Sequence, residues 1–168
     1  MKMLVLSYSR TGNTAKVAAA IAEKLQADRE EIEDRCDRSG AKGYLRSAKD
    51  ALFKKSTHIA DLDKNPADYD TIVLGTPVWG FTVAPAVRTF VEEYGEVLQK
   101  RRVAFFCTMG SSGAQKTFRV LGELLGKPPI ATLALSERTV RRDNELQEQV
   151  ASFTASLRKE GDEGHGDD

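Results

Sequence analysis

Nowhere in its 168 residues does the chain hold an apolar run approaching the ~18 residues that a membrane span needs. The first residues enter a strand-like stretch with no basic segment, apolar core and small-residue cleavage site ahead of it. The expectation is a soluble, cytoplasmic protein. Charge of one sign is also missing: 25 basic and 25 acidic residues cancel, so bulk charge draws the chain neither to nucleic acid nor to an anionic membrane. With only 2 cysteines, Cys36 and Cys107, far apart and in no CxxC pair or metal-spaced cluster, the chain suits a reducing compartment. The 2 histidines, His58 and His165, have no partners at ligand spacing, which removes the usual metal sites. Two nucleotide signatures are absent as well: there is no GxxxxGK[ST] and no GxGxxG. Cys107 is not set up as a phosphatase nucleophile, because Gly113 stands where Cys-x5-Arg requires arginine.

What the chain does contain is an alternation of short apolar runs with longer stretches of helical period, the pattern of βα units around a parallel sheet. Strands are predicted at Met3 to Ser7, near Glu31 to Glu33, at Thr71 to Gly75, at Arg102 to Cys107 and from about Ile130 to Leu135. Helices are predicted at Asn13 to Leu25, Ala41 to Lys55, Pro85 to Leu98, Ala114 to Leu125 and Asn144 to Leu157. Pro85 suits a first helical turn, where its missing N–H costs nothing. The glycine-rich acidic stretch from Lys159 to Asp168 has no apolar anchor and reads as a disordered tail after a single domain spanning 1–158. The charged stretches Asp28 to Asp37 and Arg141-Arg142-Asp143 read as solvated surface.

Open parallel sheets bind ligands outside the carboxyl ends of their strands, which directs attention to three loops. In the first, Ser9-Arg10-Thr11-Gly12-Asn13-Thr14, hydroxyls and a glycine crowd the turn from strand to helix. Unpaired amides and partial positive charge at a helix start favour a phosphate there, although such hydroxyls also serve as plain helix caps. The second, Gly75-Thr76-Pro77-Val78-Trp79-Gly80-Phe81, carries the only tryptophan of the chain, and an aromatic face in that position can stack on a flat heterocycle. The third, Cys107-Thr108-Met109-Gly110-Ser111-Ser112-Gly113, is small and polar, suited to backbone contacts or to an ordinary turn.

Ser7 to Thr14, directly after the first strand, resembles the phosphate loop of the flavodoxin family, commonly Ser/Thr-x-Thr-Gly-x-Thr. Gly75 to Trp79 is similar to that family's second loop, Gly-[Ser/Thr]-Pro-x-[Trp/Tyr]. The resemblance runs in order from Met1 to about Arg158 and implies an α/β fold: a three-layer αβα sandwich on a five-stranded parallel sheet of order 2-1-3-4-5. It implies FMN as cofactor, with Ser9, Thr11, Gly12, Asn13 and Thr14 on the phosphate and Arg10 at a variable position, pointing outward. Thr76, Pro77, Val78 and Trp79 would line the flavin ring, with Trp79 stacked on it. Gly80 has the backbone freedom to turn a carbonyl toward the ring's N5–H. Cys107, Thr108, Met109, Gly110 and Gly113 would flank the pyrimidine edge. The family's usual second aromatic, over the other ring face, is not evident in this sequence, which leaves that face open to a substrate or covered by Met109 or Phe81.

Three functions follow. The first is an electron carrier between a reductase and an acceptor protein. The second is an FMN-dependent oxidoreductase that uses NAD(P)H to reduce a quinone or similar small acceptor. The third is a non-redox interaction module, since fold does not fix function. Carriers usually present an acidic rim to basic partners, and this neutral chain instead places Arg10, Arg88, Lys116 and Arg119 near the expected site.

Overall fold

The computed structural model describes residues 1–35 and 57–162. β1 (Met3–Ser7) feeds α1 (Asn13–Leu25), and β2 (Asp28–Glu31) returns beside it. A 3₁₀ turn at Pro66–Asp68 precedes β3 (Thr71–Trp79), a two-residue β4 (Thr82–Val83) and α2 (Pro85–Gln99). β5 (Arg102–Met109), α3 (Ala114–Leu125), β6 (Thr132–Ser136), α4 (Glu137–Val140) and α5 (Asp143–Asp162) complete the chain. The strands lie in the order β2-β1-β3-β5-β6, all parallel, with β4 pairing antiparallel to β3. Setting β4 aside, this is the expected 2-1-3-4-5 order.

The apolar runs read as continuous because both faces of the sheet are covered. Leu4, Leu6, Ile72, Leu74, Val103 and Phe105 face a core closed by α2 and α3. Val5, Val73, Ala104, Phe106, Leu133 and Leu135 face the opposite core, filled by Val17 and Ile21 of α1 and Val150 and Leu157 of α5. Strand alternation thus assigns each side chain to one layer. Gly75 shows how tightly the second core is fitted. It stands opposite Phe106 in the β3–β5 ladder, and a Cβ there would sit 2.0 Å from Phe106 Cζ. Gly75→Ala is therefore expected to destabilise the fold by about 3 kcal/mol, at the upper end of overpacking costs. Chemical denaturation measures this, and Gly75→Ala combined with Phe106→Leu should recover most of the loss.

Several boundaries differ from the sequence reading. β2 lies at Asp28–Glu31, ahead of the predicted 31 to 33. It is a mostly exposed, charged edge strand held by pairing with β1, so the stretch read as solvated surface is partly sheet. β3 runs four residues past Gly75, to Trp79, because β4 folds back on its end. β6 begins at Thr132 and is followed by α4, a short helix that sequence periodicity did not reveal; the Ser136 hydroxyl caps it by accepting from the Thr139 N–H at 3.1 Å. α5 continues to Asp162, into the stretch read as a tail. The predicted helix Ala41 to Lys55, Cys36 and the last residues, 163–168, lie outside the described residues. At the flanks, Asp34 and Ile59 form an antiparallel bridge, and Thr89 of α2 exchanges hydrogen bonds with the Thr57 backbone at 2.9 and 3.1 Å. Among the described residues no helix is long and apolar enough to cross a membrane.

Candidate functional site

At the carboxyl ends of β1, β3 and β5 a cleft opens with a cavity volume of about 230 Å³. Its wall is Arg10, Thr11, Asn13 and Thr14 from the first loop, Pro77, Val78, Trp79 and Gly80 from the second, Thr108, Met109 and Gly110 from the third, and Glu137 from α4. All three loops marked by the sequence meet in one place.

The first loop leads into an uncapped helix start. Gly12 holds φ of +90° at the N-cap of α1, a conformation that only glycine adopts readily. A Cβ on it would meet nothing within 4 Å, so conformation and not crowding selects glycine. Ser9 closes the turn by accepting from the Gly12 N–H at 3.1 Å, and the helix ladder starts with Lys16 N–H on Gly12 O at 2.9 Å. α1 has no side-chain cap and no acidic residue in its first turn. The amides of Asn13, Thr14 and Ala15 consequently lack intrahelical acceptors, and the helix dipole adds positive potential there. The plain-cap alternative is thereby set aside for Thr11 and Thr14. Arg10, expected to point outward, also lines the cleft and is half-buried.

The second loop makes the aromatic wall. Trp79 is half-buried, and its ring meets the buried Tyr8 ring edge-on, with centroids 5.5 Å apart at 89°. After Trp79 the chain reverses through Gly80 and Phe81, at φ of +55° and +62°, the signature of a type I′ hairpin turn. Thr76 braces this hairpin from within: its Oγ1 accepts from the Ala84 N–H at 3.1 Å and donates to the Pro77 carbonyl at 2.9 Å.

Phe81 is a bulky residue in left-handed conformation and is 55% exposed, so it costs stability and returns little burial. Phe81→Gly is expected to raise stability by about 1 kcal/mol, which thermal unfolding would register as a higher midpoint. An unchanged or lower midpoint would show that the Phe81 ring is worth more than the strain.

Gly113, at φ of +107°, is the N-cap of α3, and a Cβ there would lie 2.8 Å from Val78 Cγ1 and 3.1 Å from Phe81 Cδ1. The third loop therefore seats against the hairpin only because position 113 is glycine.

Some residues expected at the ligand do not line the cleft. Ser9 and Gly12 shape the first turn, Thr76 and Gly113 fix the hairpin and its seat, and Phe81 stands at the hairpin tip, beyond the lining. Cys107 is fully buried. Alternation on β5 turns it toward the layer of Val103 and Phe105, away from Thr108, and burial pushes its thiol up to about 12. It is an inert core residue, whereas Thr108, one position on, reaches the α1 side. There Thr14 Oγ1 and Thr108 Oγ1 hydrogen-bond at 2.7 Å, both residues buried.

Glu137 is the lining residue that sequence reading missed. Its signal was the Ser136 cap followed by an acidic residue in the first turn of α4, hidden because that helix is only 4 residues long.

A doubly wound sheet with an uncapped helix start and an aromatic wall at its carboxyl edge has the ligand crevice of the nucleotide- and flavin-binding α/β folds. The chain belongs to the flavodoxin family: the family model described as Flavodoxin matches residues 2–132. Solved structures carry the same fold. A flavoprotein from Lactobacillus acidophilus NCFM, crystallised with FMN, superposes with a TM-score of 0.69 at 24% identity, covering 79% of this chain and 92% of that one. A flavodoxin, WrbA-like protein from Agrobacterium tumefaciens gives 0.60 at 18% identity over 94% and 98%. The two-electron reduced flavodoxin of Megasphaera elsdenii gives 0.55 at 19% identity over 89% and 98%. Comparison with curated protein sequences finds no match.

FMN is the cofactor of this family, and the residues present fit it. Uncapped amides with the Thr11 and Thr14 hydroxyls suit a phosphate, and the half-buried Trp79 suits a flat ring.

Proposed function

We propose that this protein is an FMN-dependent electron carrier, accepting electrons from a reductase and passing them to an acceptor protein. The observation that carries the reading is the convergence, in one cleft, of an uncapped helix start bearing Thr11 and Thr14 with the aromatic wall of Trp79. Bound FMN supplies the redox-active ring; the protein's work is to hold it, orient it and shield part of it.

Thr11, Asn13 and Thr14 anchor the phosphate at the α1 terminus, where favourable dipole interactions are worth about 0.3–1 kcal/mol each and up to ~2 in partly buried geometry. Trp79, held edge-on by Tyr8, would stack on the ring of bound FMN and shield it from water. Glu137, the only acidic residue among the described lining residues, would offer an acceptor to the hydroxyls of bound FMN. Met109 and Gly110 complete the lining from the third loop. Every protein group in this account binds or orients, and none is needed as a proton donor.

One observation favours a second reading, an NAD(P)H-dependent reductase of a quinone or similar acceptor. Among the described residues the charged members of the cleft lining are Arg10 and Glu137, of opposite sign, with no acidic surplus of the kind that steers carriers to basic partners. The two readings separate on anaerobic addition of NADPH to the FMN-loaded protein. A carrier keeps its oxidised spectrum until a separate flavin reductase is added. Rapid bleaching by NADPH alone overturns the carrier reading in favour of the enzyme.

A further inference from the structure

We propose that Thr108 is a positioning residue that aims the Thr14 hydroxyl at the phosphate and so sets the preference of the site for a phosphorylated flavin. The inference rests on the FMN reading above and extends it to a residue that the loop resemblance assigns to the flavin ring.

The basis is the hydroxyl pair. Thr14 and Thr108 are 94 positions apart in sequence, both are buried, at 2% and 4% exposure, and their oxygens are 2.7 Å apart. Both residues line the cleft. Each hydroxyl has one proton to donate. With no ligand the pair can point either way, because either oxygen can be the donor. An acceptor-only ligand at the α1 terminus removes that ambiguity. Thr108 then donates to Thr14, and Thr14 donates into the cleft, beside the amides of Asn13, Thr14 and Ala15.

Such a chain polarises in one direction, and each bond strengthens the next. A phosphate, which only accepts at these oxygens when ionised, gains the whole chain; the terminal hydroxyl of riboflavin, itself a donor, does not. Strand geometry makes the pair possible. Thr108 follows Ala104 and Phe106 on the face of β5 turned toward α1, whereas Cys107 points to the opposite layer.

The test measures apoprotein affinity for FMN and for riboflavin by quenching of flavin fluorescence, in wild type, Thr108→Val and Thr108→Ser. Thr108→Val is expected to lose roughly tenfold in FMN affinity, the upper end for one neutral hydrogen bond, while riboflavin affinity changes by less than about twofold. Thr108→Ser, which keeps the hydroxyl, should retain the wild-type preference. If Thr108→Val does not fold, Thr108→Ala carries the same expectation.

Equal losses for both ligands would mean that Thr108 only packs, and unchanged FMN affinity would mean that it does not act on Thr14; either overturns the proposal. A wild-type protein that binds neither flavin overturns the FMN reading itself, and this proposal with it.

Discussion

Thr11→Glu is expected to weaken FMN binding about a thousandfold and to leave the fold standing. Thr11 is exposed and lines the cleft, so the longer side chain meets no core. Its carboxylate would stand beside the helix start that receives the phosphate. Two unit charges 4 Å apart near a protein surface interact by about 4 kcal/mol at an effective dielectric constant of 20, which is roughly three decades in a dissociation constant. Riboflavin, which carries no phosphate, should bind the variant nearly as it binds wild type. Titration with the two ligands and a thermal melt check all three statements. Equal weakening for both flavins would place Thr11 at the ring or ribityl chain and contradict the phosphate assignment.

Trp79→Ala carries the second largest effect. Stacking of a planar heterocycle on an aromatic side chain is worth about 1–3 kcal/mol, so FMN affinity should fall between roughly fivefold and a hundredfold, and riboflavin affinity should fall with it. That common loss distinguishes the ring contact from the phosphate contact. The fluorescence of bound flavin should also rise, since the indole that quenches it is gone. A variant with unchanged affinity and unchanged fluorescence would mean that Trp79 packs against Tyr8 and leaves the ring alone.

How far the sequence alone reveals this protein depends on where its signals are local. α1 and α3 were predicted with the observed limits. Each combines an apolar stripe with a glycine at the N-cap in left-handed conformation, Gly12 and Gly113, so both boundaries are marked in the residues themselves. The loop from Gly75 was harder. Thr76 to Trp79 continue β3 through pairing with β4 and β5, a non-local cause that periodicity does not register. The Gly80-Phe81 turn also reverses the usual chemistry, with a bulky residue where glycine or asparagine is favoured.

β2 escaped for a different reason. An exposed edge strand of four charged residues, Asp28 to Glu31, has no apolar face to announce it. At the site, the loops that meet were legible, yet the division of labour within them was not. Whether Cys107 or Thr108 faces α1 is settled by strand register, and a slip of one residue would exchange them.

Whether this cleft holds FMN by an uncapped helix start and an aromatic wall is decided by a spectroscopic titration of the purified apoprotein with FMN. Saturable binding at one FMN per chain is expected, with the flavin bands near ~375 and ~450 nm that belong to the cofactor itself perturbed from their free positions and flavin fluorescence quenched. Spectra that remain those of free FMN at every ratio would contradict it.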